Sequence, residues 1–290
     1  MTQVRYGALL LLVALPPFAC AATLKPETVA AWNAYLEQAR AAMQARLQPG
    51  AKFLWLEEEP GRMEFVRTKG PLIGPVGKHI PLKVSNGLIH DWLGAGFVPN
   101  VRIENILCVV RDYDSYKRIY RPGVIDSLSH GREGEKDLFF MRLANHSVVS
   151  KTALDTECEA HYIRIDDHRW YAYSNTIRIR ELAHFGTPQQ VTLPEDTGTG
   201  LIWRLSSITR LEERDGGVYA ELEALALSRD IPTAFRAFVT PIVRRVSRDS
   251  LATSLHQSKV AIDDELAPQG QVHACVITQV GETFPRATTH

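Results

Sequence analysis

The stretch 204–232, "RLSSITRLEERDGGVYAELEALALSRDIP", constrains the fold more than any other part of this 290-residue chain. Two runs of strand-like residues flank Asp215-Gly216-Gly217, a tight-turn signal, so the stretch reads as a β-hairpin. Successive side chains on a strand alternate between faces. The returning strand therefore lines one face with Val218, Ala220, Leu222, Ala224 and Ala226, and sets Glu221 and Glu223 on the other. A row of small apolar residues leaves room above it. The sheet is expected to curve around something, either a helix or a bound molecule.

A helix candidate follows directly. Phe235, Phe238, Val239, Ile242, Val243 and Val246 recur at helical spacing. Pro241 is expected to kink this run or divide it in two. Ser247 would then cap a second segment carrying Leu251, Leu255 and Ile262. Ala252, Thr253, Ser254 and Ser258 keep that segment slim. Residues from about 264 to 290 lack periodicity and read as a tail, with one candidate strand at 273–280.

Upstream, 26–47 reads as a helix striped by Val29, Trp32, Leu36, Ala39, Met43 and Leu47, with Pro26 in its first turn. Residues 53–70 read as two short strands around Pro60-Gly61, and 70–84 as a Gly/Pro-rich linker. A strand at 85–99 would place Ile89, Leu93 and Phe97 on one face. Asn100 is read as the N-cap of a helix striped by Ile103, Ile106, Leu107, Val110 and Tyr113. Strands are expected at 124–130, 137–147, 153–165 and 168–182, the last two joined by a turn at Asp166-Asp167. A polar loop covers 186–200.

Residues 1–21 have the pattern of a secretory signal: Arg5, an apolar run from Ala8 to Leu15, Pro16-Pro17, then small residues. Cleavage after Ala21 is expected, in preference to lipoprotein anchoring at Cys20. The mature chain then has no transmembrane segment and is exported, into the periplasm of a Gram-negative source. Cys20, Cys108, Cys158 and Cys275 form no C-x-x-C pair. Cys108 and Cys158 read as buried single thiols, although an oxidising compartment permits a disulfide.

Lys+Arg and Asp+Glu balance at 33 each, so nothing electrostatic points to nucleic acid. Arg244, Arg245 and Arg248 read as a solvated helix face. Asp166-Asp167-His168 occupies a turn and cannot converge on one ion, so no metal is expected. There is no G-x-S-x-G elbow, Walker loop or G-x-G-x-x-G, and no cofactor is expected.

The phrases "GLIHDWLGAGFVP", "DYDSYKRIYRPGV", "WYAYSNTIRIREL" and "GLIWRLSSITRLEERDGGVYAELEALALSRDIP", with the terminal helix, resemble the START-like (SRPBCC) superfamily of polyketide cyclases and lipid-transfer proteins. The resemblance spans about 85–262 and rests on element order, not on a catalytic fingerprint. It implies an α+β helix-grip fold: a curved antiparallel sheet around a long C-terminal helix, with a cavity between them. The organisation is then signal 1–21, an N-terminal helix, short strands and linker over 22–84, the START-like domain at 85–262 and a tail at 263–290.

Three functions compete. The first is binding of a hydrophobic small molecule or lipid in that cavity, lined by Trp92, Tyr171, Tyr173, Trp203, Leu222 and Leu255. The second is a cyclase- or hydratase-type enzyme using His90 or Tyr120 as acid/base. The third is an interaction module whose helix 26–47 docks a protein partner. His90 and Asp91 are neighbours on a strand, so they face opposite ways, and His90 can share a face with Trp92. Glu221, Glu223, Arg178, Arg180 and Arg204 form either an outer charge ladder or an inward polar anchor for a head group.

Overall fold

The hairpin at 204–232 forms. Arg214 pairs with Gly217 across Asp215-Gly216, both of which take positive φ (56° and 79°). The computed structural model describes residues 22–77, 80–147, 150–231 and 233–265, with side chains described except at 145–147, 150, 151, 233–247 and 265.

In chain order, β1 (Ala22–Thr23) leads into α1 (Pro26–Ala45), a 3-10 turn at Trp55–Glu57, and α2 (Arg62–Thr68). Then come β2 (Leu72–Pro75), β3 (Leu82–Val84) and β4 (Gly87–Pro99). Next are α3 (Ile103–Val110), a 3-10 turn at Tyr113–Ser115, and α4 (Tyr116–Ile119). The meander β5 (Val124–Glu133), β6 (Lys136–Ser147), β7 (Ser150–Arg164) and β8 (Arg169–Ala183) follows. The short strands β9 (Val191–Thr192) and β10 (Thr197–Gly198) precede the hairpin of β11 (Arg204–Arg214) and β12 (Gly217–Arg229), and α5 (Thr233–Glu265) ends the described chain.

The strands form one antiparallel sheet in the order β2-β4-β12-β11-β8-β7-β6-β5, with β3 added to β4 and β9 to β8. Bulges in β5 and at Glu157/Cys158 bend it into a trough. α5 lies on the inner side of that bend, against β4 and β2, and meets α3 and α4. Gly94 shows how close the approach is. A Cβ there would stand 2.5 Å from Leu255 Cδ1 and 3.1 Å from Leu251 Cγ. α1 covers the opposite, outer side. Trp32 packs with Ile89, Leu225 and Leu227, and Met43 with Leu93, Ala95 and Tyr219. The stripe expected on helix 26–47 is therefore packed on the chain's own sheet.

Four local expectations fail, each for a physical reason. Residues 53–70 are not two strands but a 3-10 turn and α2. The Leu56 N–H is held at 2.9 Å by Glu221, a long-range tie that local sequence cannot show. Asn100 does not cap a helix. It takes φ 59° and gives its N–H to Gly216 O, while Asn105 Oδ1 accepts the Arg102 N–H at 2.9 Å and starts α3. That helical run also stops at Val110 and resumes only through the 3-10 turn. Finally, α5 is one helix of 33 residues that is not divided at Pro241, so Ser247 lies within it. The stripe Phe235–Val246 and the 264–290 tail lie outside the described side chains and residues, as does the 1–21 leader.

Candidate site beneath the C-terminal helix

The two faces of β12 are buried to different degrees. Tyr219, Glu221, Glu223, Leu225 and Leu227 on the outer face are buried, while Ala220, Leu222, Ala224, Ala226 and Ser228 on the α5 side are only half-buried. The neighbouring strand repeats this: Leu205, Ser207 and Thr209 are half-buried on the inner face, whereas Ile208 and Arg210 on the outer face are buried. On β8, Ser174 and Thr176 continue the half-buried floor. Protein interiors are normally packed close to crystal density. This floor keeps accessible surface beside α5, which packs on the same side of the sheet against β4 and β2. Gly96 borders it: a Cβ there would find no heavy atom within 4 Å.

The small-residue row meets a helix, one of the two occupants expected for it: Leu222 and Ala224 touch Leu251 and Leu255 of α5, alongside Ile80 and Trp92, and Ala220, Ala226 and Ser228 are half-buried. Every residue of this floor on β12 and β11, from Leu205 to Leu211 and from Val218 to Ser228, is uncharged.

Strand alternation sorts the expected lining residues. Trp92, Leu222 and Leu255 lie together on the inner side. Tyr171 and Tyr173 do not: their hydroxyls accept from Gln44 Nε2 of α1 at 3.3 and 3.4 Å, on the outer face. Trp203 also packs outside, with Trp32 and Leu227. These three are corrected from lining residues to parts of the α1 interface. Tyr171 stands opposite Arg210 in the register, and that parity fixes its face.

His90 is on the inner face, 5% exposed, with Nε2 2.9 Å from Ser228 Oγ. Burial lowers its pKa to about 4, so the ring is neutral at pH 7. Its Nδ1 and the Trp92 Nε1 are both buried without a hydrogen-bond partner among the described residues. Tyr120 lies 3.0 Å from Ser258 Oγ on α5. Ser258 gives its own proton to Ser254 O, so the phenol donates. Burial raises the Tyr120 pKa. The bond ties α4 to α5, and no hydrogen bond links Tyr120 to His90.

Glu221 and Glu223 lie on the other side with Arg210. Arg210, buried to 1%, places Nε 2.7 Å from Glu221 and Nη1 3.2 Å from Glu223. Burial acts against the guanidinium charge, but the two carboxylates more than offset it and hold the Arg210 pKa above its ordinary value. Asp91, on the same face, accepts from Tyr35 of α1 at 2.8 Å. Burial, and then the Glu223 charge, push Asp91 up to about 8. So Glu221 and Glu223 are neither an exposed ladder nor an anchor facing α5. They form a sealed ion cluster beneath α1, and their partner is Arg210, not Arg178, Arg180 or Arg204. Arg178 does make an outer ladder, with Glu157 at 3.5 Å and Glu195 at 3.6 Å. Arg204 pairs with Asp196 at 2.7 Å.

Cys158 is a buried free thiol, as expected, but Cys108 is disulfide-bonded. Among the described residues no three His, Cys, Asp or Glu side chains are grouped to hold a metal, and no helix is long and apolar enough to cross a membrane.

An antiparallel sheet bent into a trough, with a long C-terminal helix laid inside it, is the helix-grip fold that the START-like resemblance implies. Solved structures to which this chain is similar include a STAR-related lipid transfer protein fragment from Xanthomonas axonopodis (12% identity, 66% of this chain and 98% of that one, TM-score 0.44). Two others are the Zhui aromatase/cyclase from Streptomyces sp. R1128 (9%, 63% and 98%, TM-score 0.43) and human STARD10 (8%, 76% and 84%, TM-score 0.42). No protein-family model and no curated protein matches the sequence.

Proposed function

We propose that this chain is an exported binding protein for a hydrophobic small molecule or lipid, held between the inner face of β12, β11 and β8 and helix α5. The observation that carries the reading is the half-buried, uncharged floor of β12 beneath a covering helix, beside a fully buried outer face. Apolar surface left accessible inside a fold is stabilised by an apolar ligand, at roughly 25 cal/mol per Å² removed from water. Trp92, Leu222 and Leu255 are the lining residues in this reading. Export rests on the 1–21 leader pattern.

Organic extraction of the purified protein followed by mass spectrometry tests this. A stoichiometric apolar ligand, or saturable uptake of one by the emptied protein, is expected. Protein that yields no ligand and takes up no apolar probe would remove the proposal.

A further inference from the structure

The fold decides which cysteine pairs with Cys108. Cys108, in α3, is disulfide-bonded, and Cys158 is free. The chain's other cysteines are Cys20 and Cys275, both outside the described residues. Cys20 comes just before Ala22, which packs on the outer side of the sheet in the cluster of Trp32, Ile89 and Leu227. α3 packs on the inner side, in the cluster of Val98, Val218 and Ile262. Ile89 and Val98 belong to opposite ends of β4, about 30 Å apart along the strand. The link from Ala22 to Cys20, fully extended, and the span of a disulfide together reach only about 14 Å. Cys20 therefore falls short of α3, and the sheet stands between them. Cys275 is not so limited. Ile262, near the end of α5, shares its cluster with Ile103, Ile106 and Leu107 of α3. Chain leaving α5 starts beside Cys108, and the stretch from Glu265 to Cys275 can extend about 33 Å.

We infer that Cys108 and Cys275 form a disulfide that fastens the chain beyond α5 to α3, and so holds the C-terminal end of α5 in the trough. Forming the bond joins the two Sγ atoms and releases two protons and two electrons. An exchangeable protein disulfide accepts them as it becomes a dithiol. Cys158 does not compete for Cys275. Burial pushes its thiol up to about 12, so it stays protonated, and only a thiolate exchanges. A bond of this kind persists in an oxidising compartment, which accords with the export proposed above.

The test is a non-reducing tryptic map of the full chain, expressed with its leader, purified without reductant and alkylated before digestion. Peptides 103–111 and 260–286 are expected as one cross-linked species that separates on reduction, with Cys158 carried alone in 152–164. Cys108 linked to Cys20 or to a second chain, or alkylated as a free thiol, would overturn the pairing. Cys275→Ser reads the fastening. It should lower Tm by about 5–10 °C and speed amide exchange across residues 251–262. Reductant should do the same to wild type and nothing more to the variant. If the cross-link is present but Cys275→Ser melts and exchanges like wild type, the hold on α5 is overturned. The wild-type map decides the pairing even if the variant does not fold.

Discussion

Glu221 and Leu222 are neighbours on β12, yet one is completely buried in an ion cluster and the other is half-buried in a neutral hollow. The outer face is closed by α1 and charged. The inner face meets α5 through β4 and β2, stays half-buried along β12 from Ala220 to Ser228, and carries no charge on β11 from Leu205 to Leu211 or on β12 from Val218 to Ser228. The same sheet therefore invests stability on one side and leaves space on the other. Closure of the outer face depends on long-range ties to the N-terminal segment: Tyr35 to Asp91, Leu56 N–H to Glu221, and Met43 Sδ 3.9 Å from Arg210 Nη1.

The largest test of this contrast is Arg210→Met. It strands Glu221 and Glu223 without their cation and should cost about 3–5 kcal/mol, read by denaturant unfolding. A loss under about 1 kcal/mol would show that the outer face is not sealed.

The next effect is set by pH. Asp91 has a folded pKa of about 8 against an ordinary value of 3.8. Its contribution to stability is fully present below pH 4 and is lost as pH rises through 8. Asp91→Asn keeps an acceptor for Tyr35 and removes that loss. The variant should gain on the order of 3 kcal/mol over wild type at pH 9 and almost nothing at pH 4. His90, lowered from 6.5 to about 4, works in the opposite sense: its contribution is present above pH 6.5 and lost as pH falls through 4. Wild-type stability is thus expected to change little between pH 4 and 6.5, where the two oppose each other, and to decline from 6.5 to 8. An equal gain for Asp91→Asn at both pH extremes would overturn the assignment.

On the inner face, two glycines two residues apart should respond differently. Gly94→Val drives a side chain into Leu255 and Leu251 and is expected to cost about 1–3 kcal/mol. Gly96→Leu projects into open space, so it should change stability by only about 0.5 kcal/mol while blocking probe uptake. Equal destabilisation by both would mean that the hollow beside Gly96 is filled.

Much of this was legible in the sequence, and the failures have a common cause. The alternation of β12 announced which face lies under the helix, and the Asp215-Gly216 turn fixes the hairpin register. Arg210 is directly opposite Glu221 in that register, so counting outward from the turn would have found the pair that Arg178, Arg180 and Arg204 obscured. Tyr171, Tyr173 and Trp203 could not be assigned a face this way. The pairing of β8 with β11 is reached across the long 184–203 connection, which carries no periodic signal of its own. The turn-and-helix form of 53–68 depends on Glu221, more than 150 residues away. Pro241 does not divide the helix: α5 runs from Thr233 to Glu265 and packs against β4, β2, α3 and α4.

The tripeptide His90-Asp91-Trp92 places two chemistries back to back with no residue to spare. Adding or deleting one amino acid anywhere between the start of β4 and Trp92 would exchange their surroundings, delivering a carboxylate into the cavity and an imidazole and an indole into the ion cluster. Length variation among descendants of this chain should therefore collect in the connections 46–52 and 184–203, and β4 should drift by replacement alone.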